Sequence, residues 1–231
     1  MRPEGRVRRL FACAASLAAL LLAGCGPLPP PPEPSRAQRL YQEGQLAIQQ
    51  GNTQKALERF EAAAALAAKE GNSLGVTSSL HAIALVHIQA ERWREALSYM
   101  LRVLSLDRKA LEEARRAGAP QDALRLAEAK VASDLYDIAR LHRRLGAPGD
   151  ALRRLQEALQ IDLRLGRDQG AAITHNNIGR LLLALDRLDE AEAHFKQALA
   201  IFQKREDKER ALEVWNNLIF LERVRRTGKG R

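Results

Sequence analysis

The chain is poor in the residues that cross-linking and catalysis draw on. Cysteine occurs only at Cys13 and Cys25, so residues 26–231 hold no thiol. A disulfide framework, a thiolate nucleophile and a cysteine-ligated metal are thereby excluded from that stretch. Aromatic residues make up 4%, and no proline lies between Pro34 and Pro120. Strand-like alternation is almost absent, and no glycine-rich loop follows a strand, which removes phosphate-cradling loops. The histidines are His81, His87, His142, His175 and His194, and none stands in HExxH or another metal-ligand spacing. GxSxG is absent too. Carboxylates are many, but they interleave with Arg and Lys in the manner of solvated helix faces. The expectation is no catalytic residue, no metal, no cofactor and no enzyme.

A long hydrophobic run is missing as well. The apolar stretch over residues 10–24 follows a basic start at Arg2, Arg6, Arg8 and Arg9. It falls short of the roughly 20 apolar residues that span a bilayer, and it reads as a secretory signal. Its end, Leu22-Ala23-Gly24-Cys25, resembles the lipobox of bacterial lipoproteins. That resemblance implies cleavage before Cys25, a diacylglycerol on its thiol and acylation of the new amino terminus. Cys13 then leaves with the signal. Gly26 in place of Asp implies the outer membrane rather than the inner one. The segment PLPPPPEP, residues 27–34, favours polyproline II and gives a spacer of roughly 25 Å.

A strong single-sign charge on the body is also lacking. Of the formal +9, +3 lies in residues 1–24 and +5 in residues 223–231, which leaves +1 for the rest. The basic pI belongs to the two ends, and nucleic acid is not an expected partner.

What is present is helical periodicity and a repeat. Residues 36–226 are rich in Ala, Leu, Arg, Glu and Gln with apolar residues at helical spacing. The segments GNTQKALERF, AERWREALSY, GAPGDALRRL and DRLDEAEAHF share alanines at Ala56, Ala96, Ala151 and Ala191. Twelve residues earlier stand Gly44, Ala84, Ala139 and Gly179, and the series continues at Ile219, with spacings of 40, 55, 40 and 40. Phe60, Met100, Leu155 and Phe195 follow one turn after the second alanine, then Ala63, Val103, Ala158 and Ala198 on the same face. Small residues at a crossing let antiparallel helices pack at about 8–10 Å. Helices are expected over 36–50, 53–70, 74–90, 93–117, 120–145, 148–166, 169–185, 188–204 and 207–226. The surplus of fifteen residues between the second and third units predicts two lengthened helices meeting at Gly118–Pro120 and projecting as a hairpin. An extra short helix is the alternative.

This pattern resembles the tetratricopeptide repeat, in the 40-residue form of kinesin light chains. Residues 173–202 are especially similar to the latter. The resemblance implies an all-α, right-handed solenoid of antiparallel helix pairs with a C-terminal capping helix. The domains read as a signal over 1–24, a lipidated cysteine and Pro-rich linker over 25–35, repeats at about 37–72, 77–117, 132–167 and 172–206, a cap over 207–226 and a basic tail over 227–231. It further implies that the first helix of each pair lines a concave groove holding a peptide or helix of a protein partner. Transferred register by register, the groove residues are Ser133, Tyr136, Arg140, Arg143, Ile173, Asn176, Arg180 and Leu183, with Asn216, Phe220 and Arg223 on the cap. The first repeats offer Gln38, Tyr41, Gln45, His81, Leu85 and Ile88. Asn176-Asn177 and Asn216-Asn217 recur in register, and an amide serves either backbone recognition or helix packing. Arg140 and Arg180 share one register and suit a carboxylate. His175 aligns with Leu40, Leu80 and Leu135, a packing position. The functions implied are a membrane-anchored scaffold, an assembly factor for pili, secretins or outer-membrane proteins, a regulator of a cell-wall enzyme, or a structural spacer or oligomeriser.

Overall fold

Four of the nine described helices start on a side-chain cap. Ser35 opens the first helix with a reciprocal cap: its Oγ accepts from the Gln38 N–H at 3.2 Å, and Gln38 Oε1 accepts from the Ser35 N–H at 2.7 Å. Asn52, Asn72 and Asp207 cap later helices through their side-chain oxygens. The structure, a computed structural model, describes residues 33–228. Among them run α1 (Arg36–Gln49), α2 (Thr53–Lys69), α3 (Ser73–Gln89), α4 (Trp93–Arg116), α5 (Gln121–Arg144), α6 (Pro148–Leu165), α7 (Asp168–Ala184), α8 (Leu188–Lys204) and α9 (Lys208–Thr227). No strand occurs among the described residues. Each helix lies within one residue of its expected bounds. Ser35–Arg231 forms a compact unit of its own. The expected signal, the lipidation of Cys25, nearly all of the linker and residues 229–231 of the tail lie outside the described residues. None of the described helices is long and apolar enough to cross a membrane.

Each helix packs on its sequence neighbour, and the repeat registers supply the crossings. Ala56, Ala96, Ala151 and Ala191 are fully buried, and Phe60, Met100, Leu155 and Phe195 are at most 3% exposed. The small residue opposite is matched to them in size. A Cβ placed on Gly44 or Gly179 would stand 2.6 Å from a ring carbon of Phe60 or Phe195. Where the large residue is Met100 or Leu155, the partner register holds Ala84 or Ala139.

The extra fifteen residues lengthen two helices and add no third. Both α4 and α5 have 24 residues and meet around Gly118. Residues near the tip are largely exposed, but the base rests on α6. Leu111 and Val131 join Ile161 and Leu165 in one apolar cluster. Glu128 accepts from Arg115 at 2.5 Å and from Arg164 at 3.1 Å, and Arg125 donates to the Leu165 carbonyl at 2.8 Å. The hairpin is therefore held on α6 through its base, with its tip exposed.

One expectation is corrected here. Three carboxylates do not sit on solvated faces: Asp107, Asp134 and Asp162 are 7%, 5% and 4% exposed. Asp107 and Asp162 occupy the register that holds Ala67 in the first hairpin and Phe202 in the last. Lys130 donates to Asp107 at 2.9 Å and to the Thr77 hydroxyl at 3.2 Å. Burial, then its contact with Asp107, pushes the Asp134 carboxyl up to about 8. Asp162 has Arg167 at 3.0 Å, and its burial still raises its pKa.

Candidate partner-binding groove

Side-chain hydrogen bonds join α3, α5, α7 and α9 in turn. Lys130 of α5 reaches Thr77 of α3. Asn177 of α7 donates to the Tyr136 hydroxyl of α5 at 3.1 Å, and Asn217 of α9 donates to Asn176 of α7 at 2.9 Å. These contacts set the spacing of side chains along this series of helices.

Between α5 and α7 this spacing opens a cleft of about 470 Å³. Tyr136, Arg140, Arg143, Asn177 and Arg180 line it, above Leu155 and Leu181. Arg140 is 3.3 Å from Asp137 on its own helix, and Arg180 is 3.9 Å from Glu213 of α9. Arg143 has no carboxylate partner among the described residues. Its pKa is pulled below the ordinary arginine range by burial and by the guanidiniums of Arg180, Arg144 and Arg140. Three arginines thus share one side of Tyr136, while the Arg144 guanidinium lies over the Trp93 ring outside the cleft. On its other side lies a smaller cavity, about 250 Å³, lined by Ser133, Asp137, Asp162, Arg167 and Thr174. The groove here places a cationic cleft beside one that holds two carboxylates.

Of the residues expected in the groove, Tyr136, Arg140, Arg143 and Arg180 meet in the larger cleft. Asn176 is placed differently. It is 6% exposed, donates to Glu213 at 3.2 Å and accepts from Asn217, so its amide serves the α7–α9 contact. Its neighbour Asn177 faces the cleft instead and also bonds the Ile173 carbonyl at 2.8 Å. Asn216 and Phe220 are exposed on α9 and lie outside the cleft. Arg223 lines a notch with Trp215 and Ile219. In the first repeats Leu85 is exposed, whereas Tyr41 packs on Phe60 with ring centroids 5.3 Å apart. His175 is half-buried, as its packing register implies. It meets His194 with Nδ1 atoms 2.9 Å apart, and burial brings its pKa down to about 4. Asp137, Asp162 and Arg167 are the cleft residues that sequence reasoning missed. For Asp162 a signal existed, because it and Asp107 are acids in a register that holds Ala67 and Phe202 in the other hairpins.

The model of the tetratricopeptide repeat family matches residues 36–109 and 131–204. The gap between the two matches contains the tip of the long hairpin. No curated protein matches the chain in sequence. Among solved structures, the apo form of RapI is similar at 15% identity and a TM-score of 0.70, over 83% of this chain and 49% of RapI. This chain therefore spans about half the length of RapI. The nearly identical TPR-like repeats of a Podosopora anserina kinesin light chain are similar at 18% identity and a TM-score of 0.57, over 86% of this chain and all of theirs. MamA is similar at 15% identity and a TM-score of 0.51, over 76% of this chain and 83% of MamA. At these identities the likeness shows the fold. With the family model matching well over half of its length, the chain belongs to the tetratricopeptide repeat family, whose solenoids are protein–protein interaction scaffolds of a non-enzymatic type.

Proposed function

We propose that this chain is a lipid-anchored scaffold of a bacterial envelope, and that the groove between α5 and α7 binds a protein partner. The supporting observation is the crowding of Arg140, Arg143 and Arg180 around Tyr136, with Arg143 lacking a carboxylate. An acidic side chain or terminal carboxylate of a partner segment relieves that repulsion and accepts from several guanidinium donors at once. In the smaller cavity beside it Asp162 pairs with Arg167 and Asp137 with Arg140, so its charges are matched within the chain. Recognition of such a segment needs no reacting group, and the function is binding rather than catalysis. The anchor rests on the Leu22–Cys25 motif and the proline-rich stretch after it.

Two experiments test the two halves. Arg140→Glu with Arg180→Glu should abolish capture of the partner from crosslinked envelope while circular dichroism keeps its helical signal. Recovery of the same partner by this variant contradicts the basic-cleft reading. Cys25→Ser should move the protein from the membrane to the soluble fraction, and unchanged partition contradicts the anchor.

A further inference from the structure

The last helix covers the array on one side and exposes an apolar stripe on the other. In α9 the residues Val214, Leu221 and Val224 are buried against the preceding helices. On another face Leu212, Trp215 and Ile219 are 60%, 52% and 48% exposed. With Lys208, Glu222 and Arg226 they stand at steps of four, three, four, three and four residues. That spacing sets all six on one stripe of the helix, charged at its ends and apolar in its middle. The helix is 20 residues long, or about 30 Å. A shallow notch of about 480 Å³ runs along the stripe beside Trp215 and Ile219.

Ile219 argues against covering this face with another hairpin helix in the usual manner. It occupies the register of Gly44, Ala84, Ala139 and Gly179. At Gly44 and Gly179 even a Cβ would come within 2.6 Å of the ring packed there. A β-branched side chain at this register has no room under such a crossing, but it suits a wider contact between two helices. The opposite end of the array offers no match. The open side of α1 is polar, with Gln38, Gln42 and Gln45 exposed, and Leu46 is its one exposed large hydrophobic residue. End-to-end stacking would leave the α9 stripe against glutamines.

We infer that the stripe is the contact for a second copy of this chain, with the two α9 helices antiparallel about a two-fold axis near Trp215. The charge order carries the choice. In that arrangement Leu212 faces Ile219 of the second copy, and Lys208 faces Glu222 of the second copy, twice by symmetry. A parallel pair would set Lys208, Glu222 and Arg226 each against its own kind. Lys208 forms no ion pair among the described residues. Glu222 is bonded to Arg226 at 3.0 Å and lies 3.6 Å from Arg225, and with its side chain 47% exposed it exchanges these partners on its own helix for Lys208 of the second copy. This contact is independent of the groove, so loss of the groove partner leaves it standing.

Sedimentation velocity of the full chain over rising concentration tests it. The expected result is a dimer that Ile219→Glu turns into a helical monomer. Lys208→Glu or Glu222→Lys alone should weaken the dimer by roughly tenfold, as two attractive pairs become repulsive, and the double exchange should restore it. Lys208 is exposed and Glu222 half-exposed, so the exchange remains informative where Ile219→Glu misfolds. A monomer at every concentration overturns the inference. So does a dimer indifferent to the single charge changes, or one that the double exchange fails to restore.

Discussion

The second hairpin and the last close with the same registers and opposite chemistry. At the junction of α4 and α5, Asp107 meets Lys130, with Asp134 beside it. At the junction of α8 and α9, the equivalent positions are Phe202, Arg210 and Val214. There the Arg210 guanidinium lies 6.0 Å from the Phe202 ring centre. Phe202 and Val214 are 1% and 0% exposed. One geometry therefore accepts either a paired charge or a packed ring, provided that the helix opposite supplies the complement. The two solutions differ in what they contribute. Burying a ring stabilises through apolar area, whereas the buried Asp107 carboxylate, held by the partly exposed Lys130, returns little net stability and depends on staying paired.

Breaking the apolar junction should have the larger effect. Phe202→Ala removes a fully buried ring and should cost about 3–5 kcal/mol in chemical denaturation, with α9 losing its support first. A cost below about 1 kcal/mol would mean that the junction collapses to fill the space.

The charged junction should show itself in pH dependence. The folded-state pKa of Asp134 lies near 8, above its ordinary 3.8, so the folded chain holds a proton that the unfolded chain has released. The stability linked to that proton is fully present below about 3.8 and is lost as pH rises through about 8. Asp134→Asn keeps a neutral group there at all pH values. Thermal melts followed by circular dichroism should show the wild type losing stability between these limits and the variant losing less. Identical slopes would contradict the assignment.

Helix bounds and the repeat register were legible in the sequence because each rests on local chemistry: Ser35 and the capping asparagines, the turn glycines, and the small residue opposite Phe60 or Phe195. The lengthened hairpin was legible for the same reason, since a run without a breaker ends only at Gly118. What depends on contacts between repeats was not. Asn176 and Asn177 are adjacent and chemically identical, and only the positions of α5 and α9 decide that Asn177 opens to the cleft while Asn176 is buried. Asp107 and Asp134 read as surface acids until Lys130 and Thr77 are brought beside them. The support of the hairpin by Leu165 and Arg164 likewise comes from a helix some forty residues further along the chain.

The central claim, that a protein partner lies in the groove between α5 and α7, is tested most directly by site-specific photo-crosslinking in intact cells. A photoreactive residue replaces Ser133 on the groove face or, as a control, the exposed Gln156 on α6. The account predicts a discrete crosslinked partner from position 133, lost when Arg140→Glu and Arg180→Glu are added, and none from position 156. Crosslinks of equal strength from both positions, or from 156 alone, would contradict it.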